Sequence, residues 1–535
     1  MSNCVLIDSV RMNGRDVKIS LEPNVIGANY FSIIVGKNGS GKSRLLERIS
    51  AGLLVSSALK YVENDTKTSL GDWFSGILSR REMFKVYDSH SQGLDINEVD
   101  FSIFYYFNNV RNKLEYLSSE PWKNFFSYKN QPDFPNLVCV SNSFFHRFFS
   151  KEEIKDLVYS FKGGEERLEH FLNGLSDFSG VGYRLQGRGD YEDSSKFIAG
   201  SFFSNRETMH KNLDFIERFG FDRNIYISFC INSMVIATVA ANPGRRIDKF
   251  ELGNIDDAVR RNNNPSSEEK EKLLKLFELF LREIKLEELL NREENKRGVF
   301  DSLYDTLFFR NNDKGVVEFH LPGSDVFTDG LAEMIITLVK YDLIHVKEVS
   351  FSKEGKVFDL RNMSSGEMNT FLMLLRINGE IRDKSVVLID EPEISLHPSW
   401  QRNILPAIEK CFSHFTGCHF IIATHSPQVV SSITEKNSSV IVLGDEEKTF
   451  PGFLFKGMSA DHLLFSTLDS PGEHNEYATR ILTTILAKLN LRKELSVKEV
   501  LFLDKAIELY PLNNKDDEYL SIKHLLKQVI ALYSA

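Results

Sequence analysis

Apolar and polar positions follow one another along the chain in segments that predict an α/β fold. Residues 4–35 hold three short apolar runs separated by turn residues, which predicts three strands, and the last run leads into a glycine-rich turn. From Gly41 to about Val55 the apolar residues then recur at helical spacing. We expect further strands at 137–140, 316–320, 343–351, 385–389, 419–423 and 438–443.

Helical spacing dominates two later parts of the chain. Residues 266–297 predict one long helix with a serine at its N-cap, and its length rules out the extended coiled-coil arms of some ATPases. From residue 457 onwards the pattern is helical and is interrupted at Pro471 and Pro511. The fold class that follows is α/β, a mixed sheet with a helical insertion and a helical C-terminal region.

Composition narrows the class of protein further. A length of 535 residues predicts two to four domains, and 26% charged residues with 42% hydrophobic residues exclude wholesale disorder. Lys and Arg total 65 against 75 Asp and Glu, so a net charge of −10 argues against a surface that coats nucleic acid. No apolar run is long enough to span a bilayer and no secretory signal is visible, so we expect a cytoplasmic protein without a membrane partner.

The turn after the third predicted strand carries the strongest chemical signal. It has the pattern G-x-x-x-x-G-K-S and consists of Gly36, Lys37, Asn38, Gly39, Ser40, Gly41, Lys42 and Ser43. Glycines let successive backbone N–H groups and a helix N-terminus face phosphate groups. Lys42 is then placed to reach the β- and γ-phosphates, and the Ser43 hydroxyl to ligate Mg²⁺. The motif predicts ATP and Mg²⁺ as ligands.

Two adjacent carboxylates follow the apolar run at 386–389. Asp390, at the tip of this predicted strand, is placed to hold Mg²⁺, and Glu391 to polarise the water that attacks the γ-phosphate. Burying two carboxylates at a strand end is costly unless a metal or a proton compensates. We interpret Glu393 as an acid at a helix start or as a salt-bridge partner rather than as a catalytic group.

Two weaker motifs gain weight from their positions. Ser364, Ser365, Gly366 and Glu367 open a predicted helix, which is an anion site or an ordinary capping box. The predicted strand at 419–423 ends shortly before His425, and a histidine at a strand tip can reach a γ-phosphate. Without the other motifs a surface or capping histidine would be the simpler interpretation.

In this order the four motifs resemble the ATP-binding-cassette ATPases of the SMC, Rad50 and OLD class. Residues 36–43 resemble the Walker A loop, 363–367 the signature, 386–391 Walker B, and His425 the switch histidine. The resemblance implies Glu391 and His425 as catalytic residues, Ser43 and Asp390 as metal ligands, and residues 36–43 with 364–367 as the nucleotide-binding set. It also implies a homodimer in which each signature caps the ATP held by the partner. The Q-loop residue stays open between Asn142 and Gln186.

Shorter strings, DEPEISLHP and THSP, resemble the bacterial defence branch of this class. Nucleases of the OLD type carry a Toprim domain after the ATPase, and the chain after His425 lacks the acidic cluster of that domain. The chain therefore most resembles the Septu-type anti-phage ATPases (PtuA), which also occur as retron effectors. This implies a separately encoded HNH nuclease as partner, and in a retron a reverse transcriptase with its RNA/DNA product; a higher oligomer stays open.

On these motifs we divide the chain into five regions. They are an ATPase lobe with Walker A at 1–200, a helical insertion at 201–310, a signature-bearing lobe at 311–380, the rest of the ATPase core at 381–450, and a helical region for docking of a partner or oligomer at 451–535.

Alternatives were weighed against this hypothesis. The runner-up function is a RecF/Rad50-like DNA-repair ATPase, and a third is a nuclease in the C-terminal region. Cys411, His414, Cys418 and His419 lie close in sequence, but their spacing matches no standard zinc site. The many phenylalanines favour a bulky core over a base-stacking platform, and the arginine pairs at 245–246 and 260–261 favour a solvated face over DNA contact.

Overall fold

A computed structural model of the chain provides the architecture. The residues that it describes are 4–12, 15–21, 27–37, 39–59, 101–108, 110–116, 135–141, 148, 178–181, 190–231, 272–273, 275–276, 279, 316–323, 327, 330–341, 343–434, 436–444, 447–512 and 522–533. The chain divides into two compact units, Met1–Arg184 with Glu380–Ala535, and Leu185–Gly379.

The first unit is built on a seven-stranded sheet. In spatial order its strands are β15 (Lys448–Pro451), β14 (Ser438–Leu443), β3 (Tyr30–Gly36), β13 (His419–Ala423), β12 (Val386–Asp390), β6 (Leu137–Ser141) and β7 (Phe178–Val181). All neighbouring strands pair in parallel except β15, which runs antiparallel on β14. Every residue of the four central strands β3, β13, β12 and β6 is buried, as expected for parallel strands that are covered on both faces.

Helices and a smaller sheet accompany this central sheet. The helix α1 (Lys42–Leu59) follows β3 directly and buries Leu45, Leu46 and Ile49, which recur at the predicted helical spacing. An antiparallel sheet holds, in order, β2 (Arg15–Lys18), β1 (Val5–Met12), β4 (Phe101–Phe107) and β5 (Val110–Tyr116). Tyr105 of β4 is fully buried, so at this position an aromatic cluster contributes to the core.

The second unit combines an antiparallel sheet with helices. Its sheet holds β11 (Lys356–Asp359), β10 (Ile344–Lys353), β8 (Ile225–Ile231) and β9 (Val316–Leu321) in that order. Its helices are α2 (Asp190–Phe203), α3 (Arg206–Phe219), α4 (Leu331–Lys340) and α5 (Ser365–Glu380). Stacked and edge-to-face rings fill part of its core, since Phe371 contacts Phe219, Phe221 and Phe351 with centroids 5.1–6.4 Å apart.

The remaining helices belong to the first unit. They are α6 (Pro398–Gln401), α7 (Ile404–Phe412), α8 (Pro427–Ser431), α9 (Ala460–Ser466), α10 (Glu476–Asn490), α11 (Val497–Leu509) and α12 (Ile522–Tyr533). The last four form a hydrophobic cluster of their own around Leu482, Phe502 and Leu526. Val497 and Leu501 of α11 stay outside this cluster and are 76% and 62% exposed.

The predicted α/β class with a mixed sheet is confirmed, and the predicted strands at 137–140, 316–320, 343–351, 385–389, 419–423 and 438–443 are present within a residue or two. Of the predicted helix at 266–297 the few described residues, such as Lys272 and Leu273, are helical. The range predicted as a helical insertion, 201–310, contains α3 and also the strand β8. Within the described parts of the chain we find no helix with the length and apolar character needed to cross a membrane.

Candidate functional site

Three strand ends meet at one edge of the central sheet. Asp390, the last residue of β12, lies beside Ala423 of β13, and Ala423 lies beside Ile34 of β3. The backbone N–H of Thr424 continues this register by donating to the carbonyl oxygen of Ile34 at 3.0 Å. Because the strands are parallel, the segments that follow their carboxyl ends are brought together there, which is where α/β sheets place ligands.

The loop after β3 has the backbone that phosphate binding requires. Gly39 and Gly41 have φ angles of +81° and +95°, a region that favours glycine. At Gly36 an added Cβ would lie 2.6 Å from the carbonyl oxygen of Leu443 and 2.6 Å from Ser40 Oγ, so no side chain fits. The loop therefore wraps tightly before α1 begins at Lys42, and it leaves the first N–H groups of that helix facing the site edge.

Lys42 lies inside this loop with most of its side chain buried. Its Nζ donates to the carbonyl oxygens of Gly36 at 2.9 Å and Lys37 at 3.1 Å, and lies 3.2 Å from Nδ1 of His425. Burial lowers the pKa of Lys42 to about 8, and the neighbouring carboxylates Glu391, Asp390 and Glu393 oppose that shift. The site thus holds a cation that is poorly solvated and surrounded by exchangeable contacts.

Ser43 and the two predicted acids complete the edge. The Ser43 hydroxyl donates to Oδ1 of Asp390 at 2.9 Å, and Asp390 is buried. Glu391 turns out of the strand with a φ of +50°, while its N–H still donates to the carbonyl oxygen of Ala423 at 2.9 Å. A positive φ at a glutamate is uncommon, and here it separates the directions of two consecutive carboxylates.

Glu391 and His425 form a pair. Oε1 of Glu391 lies 3.4 Å from Nε2 of His425, and both side chains are partly exposed, at 22% and 33%. The histidine ring therefore lies between the ammonium of Lys42 and the carboxylate of Glu391. A carboxylate beside a histidine, next to a phosphate-binding loop, can orient a water molecule and accept its proton.

One participant was not assigned this place from the sequence. Oε1 of Glu393 accepts hydrogen bonds from Thr424 Oγ1 at 2.7 Å and from the backbone N–H groups of His425 at 2.6 Å and Ser426 at 3.2 Å. The interpretation as a helix-start acid or salt-bridge partner missed these contacts. A usable signal was the conjunction of a third acid after the strand with a polar Thr-His-Ser segment after the neighbouring strand.

The signature residues lie in the second unit, at the start of α5. The Ser364 N–H donates to Oε2 of Glu367 at 2.9 Å, and the Glu367 N–H donates to Ser364 Oγ at 3.2 Å, which is a reciprocal capping box. Ser364 and Ser365 are exposed and Gly366 is buried. Asn38 and the Q-loop candidates Asn142 and Gln186 lie outside the described residues.

A buried parallel sheet, a glycine-rich loop that opens a helix, and a pair of carboxylates on a neighbouring strand define a P-loop ATPase. Comparison with known proteins gives the family. The chain belongs to the AAA ATPase domain family, whose model matches residues 14–430. It is therefore an ATPase with a nucleotide site.

Individual relatives match shorter parts. The chain is 45% identical over 67 residues to the retron Ec83 probable ATPase of Escherichia coli, covering 12% of each chain. It is 26% identical over 171 residues to the retron Vc95 probable ATPase of Vibrio cholerae serotype O1 biovar El Tor, covering 29% of this chain and 33% of that one. The matched part is thus at most a third of these two relatives. The solved Smc head domain from Pyrococcus furiosus is 13% identical over 84% of this chain and 96% of its own, and its TM-score of 0.29 is too low to support an argument about the fold.

Proposed function

We propose that this ATPase binds ATP in the loop of residues 36–43 and hydrolyses it with Glu391 as general base and His425 beside the γ-phosphate. The observation that supports this best is the cluster at the sheet edge, where Lys42 lies 3.2 Å from His425 and His425 lies 3.4 Å from Glu391. Catalysis of phosphoryl transfer depends mainly on positioning and on charge stabilisation, and this cluster supplies both.

Magnesium fits the residues beside that cluster. Hydroxyl and carboxylate oxygens are the donors that Mg²⁺ prefers, and the Ser43 hydroxyl and Asp390 carboxylate already lie 2.9 Å apart. These two residues would hold the ion together with phosphate oxygens. When bound, Mg²⁺ neutralises phosphate charge.

The protein's own groups would then act in a defined order. Lys42 exchanges its backbone carbonyl contacts for phosphate oxygens, which restores a strong charge partner to a desolvated ammonium. Glu391 orients a water molecule and takes its proton as the γ-phosphate is attacked. His425, freed from the Lys42 ammonium, donates to the γ-phosphate through one ring nitrogen while the other faces Glu391.

We further propose a head-to-tail homodimer. Ser364, Ser365, Gly366 and Glu367 would cap the ATP of the partner chain, since the exposed N-terminus of α5 offers backbone N–H groups and a favourable dipole to an anion. The chain contains one copy of each motif, so two chains would provide two composite sites.

The proposed setting is bacterial defence against phage. Two relatives are named as probable ATPases of retrons, which supports a retron-associated or Septu-type role. In that role ATP occupancy or turnover would gate a separately encoded HNH nuclease, with the helical region 451–535 as the docking surface. An HNH nuclease gene beside this one, with a nuclease that co-purifies with the chain, would support the setting.

Glu391→Gln tests the chemistry. The amide keeps the shape of the side chain but cannot take a proton, so we expect ATP binding to persist and turnover to fall by about 100-fold or more. Glu508→Gln, an exposed acid on α11, is the matched control and should hydrolyse ATP normally. Binding is measured by calorimetry and turnover by phosphate release. Normal turnover in Glu391→Gln would show that Glu391 is not the base.

A further inference from the structure

The segment Thr424–Ser426, which carries His425, is held by one buried carboxylate. Oε1 of Glu393 takes three donors from it, the Thr424 hydroxyl and the N–H groups of His425 and Ser426, at 2.6–3.2 Å. The Ser426 N–H is shared with Thr424 Oγ1 at 2.9 Å, so the two hydroxyl and amide groups also fix each other. A single oxygen thus determines the backbone path on both sides of the histidine.

A second contact holds the far end of the same segment. Ser426 Oγ donates to Oε1 of Gln401 at 2.7 Å, and Nε2 of Gln401 donates to the carbonyl oxygen of Leu396 at 2.9 Å. Leu396 and Glu393 belong to the segment that follows Glu391, so the loop bearing the proposed base and the loop bearing His425 are tied together twice. The backbone on which His425 stands is therefore fixed relative to Glu391.

This arrangement is expensive for the fold. Glu393 is 8% exposed, and within the described part of the chain its Oε2 meets no hydrogen-bond partner. Burial raises the pKa of Glu393, while its bond from Thr424 lowers it. Burying a carboxyl group with one unsatisfied oxygen costs more than an apolar residue of similar size would. A cost of this kind at a site edge calls for a functional reason.

A role as a second general base does not fit the geometry. Oε1 is fully used by three donors, and the buried position keeps water from the side chain. We infer that Glu393 is a positioning residue for ATP hydrolysis, holding the Thr424–Ser426 segment so that His425 stays between Lys42 and Glu391. This inference rests on the role proposed above for His425.

The test compares Glu393→Ala and Glu393→Gln, each alone and in a His425→Ala background. Loss of the acceptor lets the histidine shift, and a misplacement of about 1 Å costs about 100-fold in rate, so we expect that loss in kcat for Glu393→Ala with little change in ATP affinity. Glu393→Gln keeps an acceptor oxygen for the same three donors, so its kcat should stay within about fivefold of the wild type. Ser439→Ala removes a buried hydroxyl from β14 away from the site and is the control for a purely structural defect.

The double variants give the decisive result. If Glu393 acts through His425, Glu393→Ala should lower kcat by less than about threefold once His425 is already alanine. An additive loss, a kcat for Glu393→Gln as low as for Glu393→Ala, or normal turnover in Glu393→Ala would overturn the inference. If Glu393→Ala does not fold, Glu393→Gln decides alone: turnover near the wild type supports positioning, and a 100-fold loss, as expected of a base, overturns it.

The same measurements separate two failures. Normal turnover in His425→Ala would refute the proposed role of His425 and this inference together. A slow His425→Ala variant beside a normal Glu393→Ala variant would refute only the positioning role of Glu393, and the proposed chemistry would stand.

Discussion

At the scale of single residues, Lys42 links the two parts of the site. Its ammonium contacts carbonyl oxygens of its own loop and lies 3.2 Å from His425. These contacts occupy the cation in the absence of nucleotide, and phosphate oxygens would be stronger partners because they are charged. Nucleotide binding is therefore coupled to the histidine through one side chain.

Lys42→Ala should remove nucleotide binding. Hydrogen bonds to charged groups contribute about 1.5–3 kcal/mol each, so losing the ammonium should weaken ATP affinity by at least about 100-fold. Calorimetry with ATP and Mg²⁺ measures this loss. Lys410→Ala, an exposed lysine at the end of α7, should bind ATP like the wild type. An affinity for ATP within a few-fold of the wild type in Lys42→Ala would contradict the assignment of the loop.

The sequence predicts these residues more completely than it predicts their contacts. Lys42, Ser43 and Asp390 follow from spacing because each role needs a particular residue type after a strand or at a helix start. The clamp by Glu393 does not follow, since it depends on how β12 and β13 align in space. Sequence spacing carries no information about that register, and the role of Glu393 was missed for this reason.

At the scale of elements, a buried histidine joins strands of both sheets in the first unit. Nδ1 of His419 in β13 accepts from the N–H of Ile7 in β1 at 3.0 Å, so the neutral ring carries its proton on Nε2, 2.8 Å from Ser32 Oγ of β3. Ser32 Oγ in turn donates to the carbonyl oxygen of Ile19 at 2.8 Å. The strand at 419–423 was predicted, whereas its pairing with residues more than 380 positions away is a tertiary fact that periodicity cannot give.

This histidine predicts a loss of stability in acid. Burial lowers the pKa of His419 to about 3 from 6.5, so between these values the unfolded chain binds a proton that the folded chain does not. The stabilising effect of neutral His419 is present above pH 6.5 and is lost as the pH falls towards 3. At pH 5 the loss should be about 2 kcal/mol.

Denaturant unfolding at pH 7.5 and pH 5.0 measures this effect as a difference between the wild type and His419→Gln. Glutamine can accept and donate on the same two sides but does not titrate, so the variant should lose less stability on acidification. Comparing two chains cancels the titration of groups that they share. Equal losses in both chains would show that His419 does not titrate in this way.

At the scale of the whole molecule, the chemistry is divided between two units. The phosphate loop, both acids and His425 lie in the first unit, and the signature residues lie in the second. The sequence predicts both sets of residues, but a single chain does not tell which copy of the signature meets which ATP. The proposed answer is that each signature serves the partner chain, and this arrangement has a consequence that the opposite arrangement lacks.

Mixing two inactive chains should restore activity. Ser364→Arg places a large cation on the exposed start of α5, which should spare ATP binding and block closure on the partner's ATP. A dimer of one Ser364→Arg chain and one Lys42→Ala chain keeps one composite site in which both halves are intact. With random exchange, half of the dimers are mixed and each has one working site, so about a quarter of wild-type turnover should return. Ser364→Ala, which removes the cap without adding bulk, controls for a loss of helix stability of about 1 kcal/mol. If each signature served its own chain, every site in the mixture would carry a damaged half, and turnover would stay at the level of the separate variants.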